Sequence, residues 1–332
     1  MDLRPVLLRN EHPIYNSNYA INTNEISELF SKVDKWISNQ DPGAIIYGEA
    51  RIGKTIAIDC LETMLRHEYG EGLPIFRLNM TSHILNEKNF YEQFLSDIGH
   101  AFNKGTAFDK KERLINLFTF CAMEAKCQRI ILFIDEANYL EEREYAWLMD
   151  IYNRLMQKKI RLTTLLFGTS DLLNIRMHFI QSNQKQLIGR FMVFEHNFHS
   201  VRTPQDLQVC LASYDFMLKY PYDSEWTYSK FFFPDAYEKG YRLSDDAVTL
   251  FNCFDKISRE VNSNTRIEIP MQYVISTINI CLKTYGADGT GLTKPSAHEW
   301  RNSIDDSGFL LAERAMLSMQ LQADKRKGRE VS

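Results

Sequence analysis

The stretch Gly48-Glu49-Ala50-Arg51-Ile52-Gly53-Lys54-Thr55 constrains this chain most. It fits G-x-x-x-x-G-K-[ST], a loop whose backbone N–H groups close around phosphate oxygens. The apolar run Ala44-Ile45-Ile46-Tyr47 before it reads as a buried strand, and Ile56 to Leu65 after it reads as a helix. Strand, glycine loop and helix in that order give the pattern a mechanism, because the helix N-terminus adds its positive dipole end to the loop. In such a loop Lys54 reaches the β- and γ-phosphates of ATP, and Thr55 ligates Mg2+. The competing reading, a chance glycine-rich turn before a helix, requires motif and flanks to agree by accident.

Around this loop the sequence alternates. A helical apolar pattern covers 21–37, and Asp41-Pro42-Gly43 is a turn leading into the first strand. Leu73 to Asn79 reads as a second strand, followed by two helices, roughly 87–102 and 110–126. Arg129 to Glu136 is an apolar strand ending in two carboxylates, Glu141 to Lys158 a helix, Leu162 to Ser170 a fourth strand and Phe191 to His196 a fifth. Such alternation predicts an α/β fold whose parallel sheet is covered by helices on both faces. From Thr203 onward the pattern is mainly helical, over 204–219, 244–259 and 271–285, with an aromatic-rich loop or insertion at 220–242. The expected domains are an N-terminal arm (1–20), an α/β nucleotide-binding domain (21–202), a small helical lid (203–286), and a C-terminal linker with a helical and basic tail (287–332). That tail closes in Lys325-Arg326-Lys327-Gly328-Arg329; such a run either binds DNA or a partner or is simply disordered.

Composition narrows the classes. With 332 residues the chain can hold a large core and a second, smaller unit. No apolar run approaches a membrane span and the N-terminus lacks a signal-peptide core, so a cytoplasmic protein without a membrane partner is expected. The six cysteines lie mostly within apolar helical patterns, have no zinc-ligand spacing, and read as reduced core thiols. The net charge of −4 gives no global basic field. Nucleic-acid binding would need a local patch or a surface built by oligomerisation.

Ile131-Leu132-Phe133-Ile134-Asp135-Glu136 supplies the second half of a nucleotide site. Asp135 would hold Mg2+ and Glu136 would polarise the attacking water, since γ-phosphoryl transfer needs neutralised charge and a positioned nucleophile. The carboxyl end of a parallel strand is where open α/β sheets bind ligands. Thr169, closing the next strand, either holds the lytic water or senses the γ-phosphate, or else caps the helix beginning near Asp171. Arg190 is either a finger on a neighbouring subunit's nucleotide or a surface ion pair. Arg266, in competition with Arg259, is a candidate nucleotide contact from the lid. Lys104, Lys110 and Lys111 lie in the interval between the two helices after the second strand. There they are either phosphate-backbone contacts or residues of a solvated loop.

With these pieces in order the chain resembles the AAA+ ATPases. More narrowly, it is similar to the TnsC/TniB branch, the ATP-dependent regulators of Tn-seven-like and CRISPR-associated transposons. The resemblance covers about 15–285. It rests on Gly48 to Thr55, Ile134-Asp135-Glu136-Ala137, Leu166-Phe167-Gly168-Thr169-Ser170-Asp171-Leu172 and Leu187-Ile188-Gly189-Arg190-Phe191, with Tyr19 to Thr23 ahead of the first helix. Gly189 replaces the more usual residue before the arginine, and 220–242 has no counterpart. The resemblance implies hexamer- or heptamer-like rings or filaments around double-stranded DNA. It also implies docking to a TniQ/TnsD-type target selector, the transposase TnsB and the endonuclease TnsA, with ATP as the assembly switch. Two helices between the second and third strands also occur in initiator-type AAA+ proteins. The alternatives are an origin-recognition-like loader or another P-loop NTPase, and a nucleotide-gated scaffold with little hydrolysis. A loader usually appends a winged-helix domain, and no strand pair is evident after 285.

Overall fold

The computed structural model describes residues 4–6, 11–84, 86–100, 104–261 and 267–330, with side chains up to residue 319. The chain divides into two compact units, one of Glu25–Phe198 and one of the residues up to Asn24 together with those from His199 onward.

In the first unit five strands form one sheet, β1 (Gly43–Tyr47), β2 (Ile75–Asn79), β3 (Arg129–Asp135), β4 (Arg161–Gly168) and β5 (Phe194–Asn197). Their order is β2-β3-β4-β1-β5, and every pairing is parallel. Parallel neighbours need crossovers, and the helices supply them. These are α2 (Lys54–Tyr69), α3 (Glu87–Asp97), α4 (Ala107–Glu124), α5 (Glu142–Gln157), α6 (Asp171–Gln181) and α7 (Lys185–Phe191), while α1 (Asn24–Ser38) precedes β1. Alternate strand residues point to opposite faces. Ala44, Ile46, Ile131, Phe133, Leu165 and Phe167 therefore pack against α1 and α2. Ile45, Leu132, Ile134 and Leu166 pack against the layer containing Phe90, Phe94, Phe118, Leu148 and Ile151. Burial on both faces explains why these strands read as unbroken apolar runs.

The paired helices between β2 and β3 are present as expected, and α4 starts with a capping box in which Thr106 and Asp109 satisfy each other's backbone. That cap draws the helix start forward to Ala107, so the expected loop over 104–111 is corrected: Lys110 and Lys111 lie in the first turns of α4.

The second unit is helical: α8 (Pro204–Ala212), a π-turn over Ser213–Met217, α9 (Tyr228–Phe232), α10 (Pro234–Glu238), α11 (Ala247–Val261), α12 (Met271–Tyr285), α13 (Ala297–Ser307) and α14 (Phe309–Glu330). Three expectations change here. The aromatic segment 220–242 is not a loop but core, with Tyr228, Phe231, Phe232 and Phe233 buried. The stretch from 287 is not merely a linker and tail. Trp300 of α13 is fully buried and donates Nε1–H to Asp246 at 2.9 Å, while the backbone of α14 runs helical to Glu330. The N-terminal arm belongs to this unit, because Ile14 and Ile21 are part of its core and Tyr19 bonds to Tyr214 at 2.7 Å. Among the described residues beyond 285 there are two helices and no strand. Cys210, Cys253 and Cys281 are buried, Cys60 and Cys121 are half-buried, and Cys127 is exposed, so the core-thiol reading fails for Cys127. No described helix is long and apolar enough to cross a membrane.

His12 fastens the arm. It is 1% exposed, among the rings of Tyr220, Tyr228, Phe231 and Phe232. Its Nδ1 accepts the Ile14 N–H at 3.2 Å, which leaves the proton on Nε2, facing rings rather than an acceptor. Burial lowers its pKa from 6.5 to about 4, against a partly opposing pull from Asp288 and with a small further push from Arg4. A depressed folded-state pKa means the unfolded chain binds the proton more readily. The associated stability is thus complete above pH 6.5 and is lost as pH falls toward 4. The loss should reach about 3 kcal/mol. Urea midpoints measured between pH 7 and 4.5 should fall more steeply for the natural protein than for His12→Phe; parallel curves would contradict this role.

Candidate functional site

Because all strands run one way, their carboxyl ends share one edge, and the loops leaving β1, β3 and β4 meet there. The phosphate loop leaves β1 at Gly48. A Cβ on Gly48 would lie 2.3 Å from the Phe198 carbonyl oxygen and 2.6 Å from Ile52 Cδ1, so only glycine lets the loop pass. Arg51 (φ 66°) and Gly53 (φ 103°) take left-handed backbone, which folds the loop over the start of α2. No side chain caps α2. Its first-turn N–H groups are therefore left for an anion.

Lys54 is 6% exposed, and its ammonium donates to the carbonyls of Gly48 at 2.8 Å and Glu49 at 2.6 Å. Burial lowers its pKa, and the carboxylates of Glu136, Asp135 and Glu49 oppose that shift. A dehydrated ammonium beside uncapped N–H groups fits a polyphosphate. Thr55 donates its hydroxyl to Asp135 Oδ2 at 2.9 Å, joining the two groups expected at the metal. A hydroxyl and a carboxylate oxygen in contact are hard oxygen donors of the kind Mg2+ takes alongside phosphates.

Asp135 is 6% exposed, whereas Glu136 is exposed. The change occurs because Glu136 adopts left-handed backbone (φ 52°, ψ 40°) and turns the chain out of β3. For a side chain with a Cβ that conformation costs about 1–2 kcal/mol. Asn138 follows, and its Oδ1 accepts the Thr169 N–H at 3.1 Å, tying the end of β3 to the end of β4. The Thr169 hydroxyl shares this edge but donates to Asp171 Oδ2 at 3.0 Å and accepts the Asp171 N–H at 3.4 Å, at the head of α6.

Arg77 is the residue that motif reading missed. It lies on β2, where Asn79 stands in register beside Asp135. Its Nη2 donates to Asp135 Oδ2 at 2.8 Å, Nη1 to Asp59 Oδ1 at 2.7 Å and Nε to Asn79 Oδ1 at 2.8 Å. The available signal was a charged residue inside the apolar strand Ile75-Phe76-Arg77-Leu78.

The remaining candidates lie elsewhere. Arg190 sits at the amino edge of the sheet. A Cβ on Gly43, which opens β1, would come within 2.5 Å of the Arg190 carbonyl oxygen. A five-residue strand, about 16 Å long, separates it from the loop. Its guanidinium stands 5.2 Å from the Tyr152 ring, and its Nε has no hydrogen-bond partner. Arg266 lies outside the described residues. Lys110 is fully buried with an ion pair to Glu92 at 3.4 Å, and Lys111 reaches Asp150 at 2.9 Å and Glu87 at 3.2 Å. Both are turned inward onto carboxylates, which corrects the expectation that they face DNA; Lys104 is exposed.

A family model described as an AAA domain matches residues 38–175, a span that contains the phosphate loop and both acids. The Aeropyrum pernix ORC2 protein, solved in ADPNP–ADP complexes, superposes with a TM-score of 0.57 at 12% identity, over 90% of this chain and 72% of that one. The fold is that of an AAA+ ATPase. Drosophila ORC bound to DNA is a more distant likeness, with a TM-score of 0.47 at 12% identity over 92% of this chain and 69% of that one. No curated protein matches the sequence. An AAA domain with this loop implies nucleotide binding.

The strain at Glu136 can be measured. Glu136→Gly should raise the stability of the α/β unit by about 1 kcal/mol, because glycine adopts the same backbone freely, and Glu136→Gln should not. Equal urea midpoints for the two variants would show that no strain is held there.

Proposed function

We propose that this chain is an ATP-hydrolysing AAA+ regulator of DNA transposition, which assembles with copies of itself on double-stranded DNA. In this reading it links a TniQ/TnsD-type target selector to the transposase TnsB and the endonuclease TnsA. The observation that carries the ATPase part is the grouping of Lys54, Thr55, Asp135 and exposed Glu136 on one sheet edge. The DNA and transposition part rests on the motif resemblance, above all on the segments ending at Leu172 and Phe191.

The division of labour follows from the site. Backbone N–H groups of residues 48–53 and the start of α2 hold the phosphates. Lys54 exchanges its two carbonyl partners for phosphate oxygens, a stronger, charge-assisted pairing. Thr55 and Asp135 would hold Mg2+, which would supply positive charge against the phosphates. Glu136, on its turned-out backbone, orients a water and takes its proton. Thr169, once released from Asp171, is the polar group next to that water. Arg190, at the far edge, cannot reach the nucleotide of its own chain and serves a neighbour's. ATP thereby makes the subunit contact, and hydrolysis undoes it.

The likeness to the ORC2 protein favours one alternative, an origin-recognition-like loader. Size analysis in ATP or ADP, with and without duplex DNA and at two salt concentrations, separates the readings. The regulator should form a large, salt-sensitive oligomer only with ATP and DNA, and Lys54→Ala should not. One chain per DNA molecule would favour the loader. Assembly of Lys54→Ala equal to the natural protein would overturn both.

Mixing gives a sharper check on Arg190. Arg190→Ala should still bind ATP, yet its assembled ATPase rate should fall about a hundredfold or more. Adding Glu136→Gln subunits, which keep Arg190, should restore part of that rate. No restoration would rule out action between subunits.

A further inference from the structure

Arg77 has a geometry unlike that of a surface ion pair. Its three nitrogens each have an acceptor, and the acceptors come from three elements: Asp59 on α2, Asn79 on β2 and Asp135 on β3. Asp59 lies one helical turn beyond Thr55, so two links run side by side between α2 and the end of β3. One is Thr55 to Asp135, and the other is Asp59 through Arg77 to Asp135. Both donors converge on the same oxygen, Oδ2, while Oδ1 accepts the Glu136 N–H at 3.1 Å. The carboxylate therefore accepts three hydrogen bonds, one from a guanidinium that it shares with the exposed Asp59 and two from neutral donors.

Resting on the nucleotide-site reading above, we propose that Arg77 is a positioning residue that makes metal uptake depend on nucleotide. Its fixed guanidinium offsets the charge of Asp135, so that Asp135 and Thr55 alone attract a divalent cation poorly. The phosphates must bring the missing negative charge, and the cation then enters with the nucleotide. Removing the guanidinium does not release Asp135, because Thr55 and the Glu136 N–H still hold it. The loss of positive charge is then the dominant effect, and it favours a cation.

The test uses Mn2+ without nucleotide, read by electron paramagnetic resonance, on the full chain. Arg77→Gln should bind Mn2+ about tenfold more tightly than the natural protein, and Arg77→Lys, which keeps the charge, should stay near the natural value. Arg77→Met serves as a second charge-free variant should Arg77→Gln fail to fold, a point settled by thermal unfolding. Unchanged or weaker Mn2+ binding in the charge-free variants would overturn the proposal, as would equal tightening in Arg77→Lys. ATP binding by the natural protein, measured separately, judges the nucleotide-site reading, whereas the metal-only comparison judges Arg77.

Discussion

Because β1 is hydrogen-bonded in parallel between β4 and β5, the phosphate loop has only one place to emerge. Gly48 donates its N–H to the Gly168 carbonyl at 3.3 Å, and a Cβ there would strike the backbone after β5. The loop is thus clamped on both sides before it turns over α2. The same parallel order sends Asp135 at the end of β3, Glu136 just after it and Thr169 just after β4 to that edge, and the α-crossovers bury the sheet on both faces. The chemistry depends on strand direction more than on any single side chain.

Once the ends are gathered, charge decides the detail. Lys54 is held by neutral carbonyls rather than by an acid, and α2 is left uncapped, so the edge carries unspent positive potential. Asp135 is held by Thr55 and Arg77, so the buried acid at this edge is already balanced. Glu136 is the exception, turned outward and exposed on a strained backbone. Local strain at such a position is the kind that surrounding packing must sustain, here the buried Ile134 and Ala137 on either side.

Much of this was legible in the sequence. The glycine loop, the apolar run ending in two acids, and the two helices after the second strand each follow from local pattern, and each occupies the expected residues to within a few positions. What was not legible depends on partners distant in sequence. Arg77 gains meaning only when β2 and β3 pair in register. The aromatic segment 220–242 reads as an insertion because its core partners include His12 and Tyr19, some two hundred residues away. Lys110 and Lys111 look like a basic loop until the Thr106–Asp109 cap pulls them into α4, opposite Glu92, Glu87 and Asp150. Trp300 and α13 look like tail because nothing nearby in sequence shows the Asp246 that receives the indole N–H.

The claim on which all else rests is that the carboxyl edge of the sheet binds a nucleoside triphosphate through Lys54 and the start of α2. Calorimetric titration of ATP with Mg2+ tests it most directly, with the natural protein and Lys54→Ala side by side. One site per chain in the natural protein and no measurable heat in Lys54→Ala is the result this account predicts. Equal binding by the two proteins would contradict it.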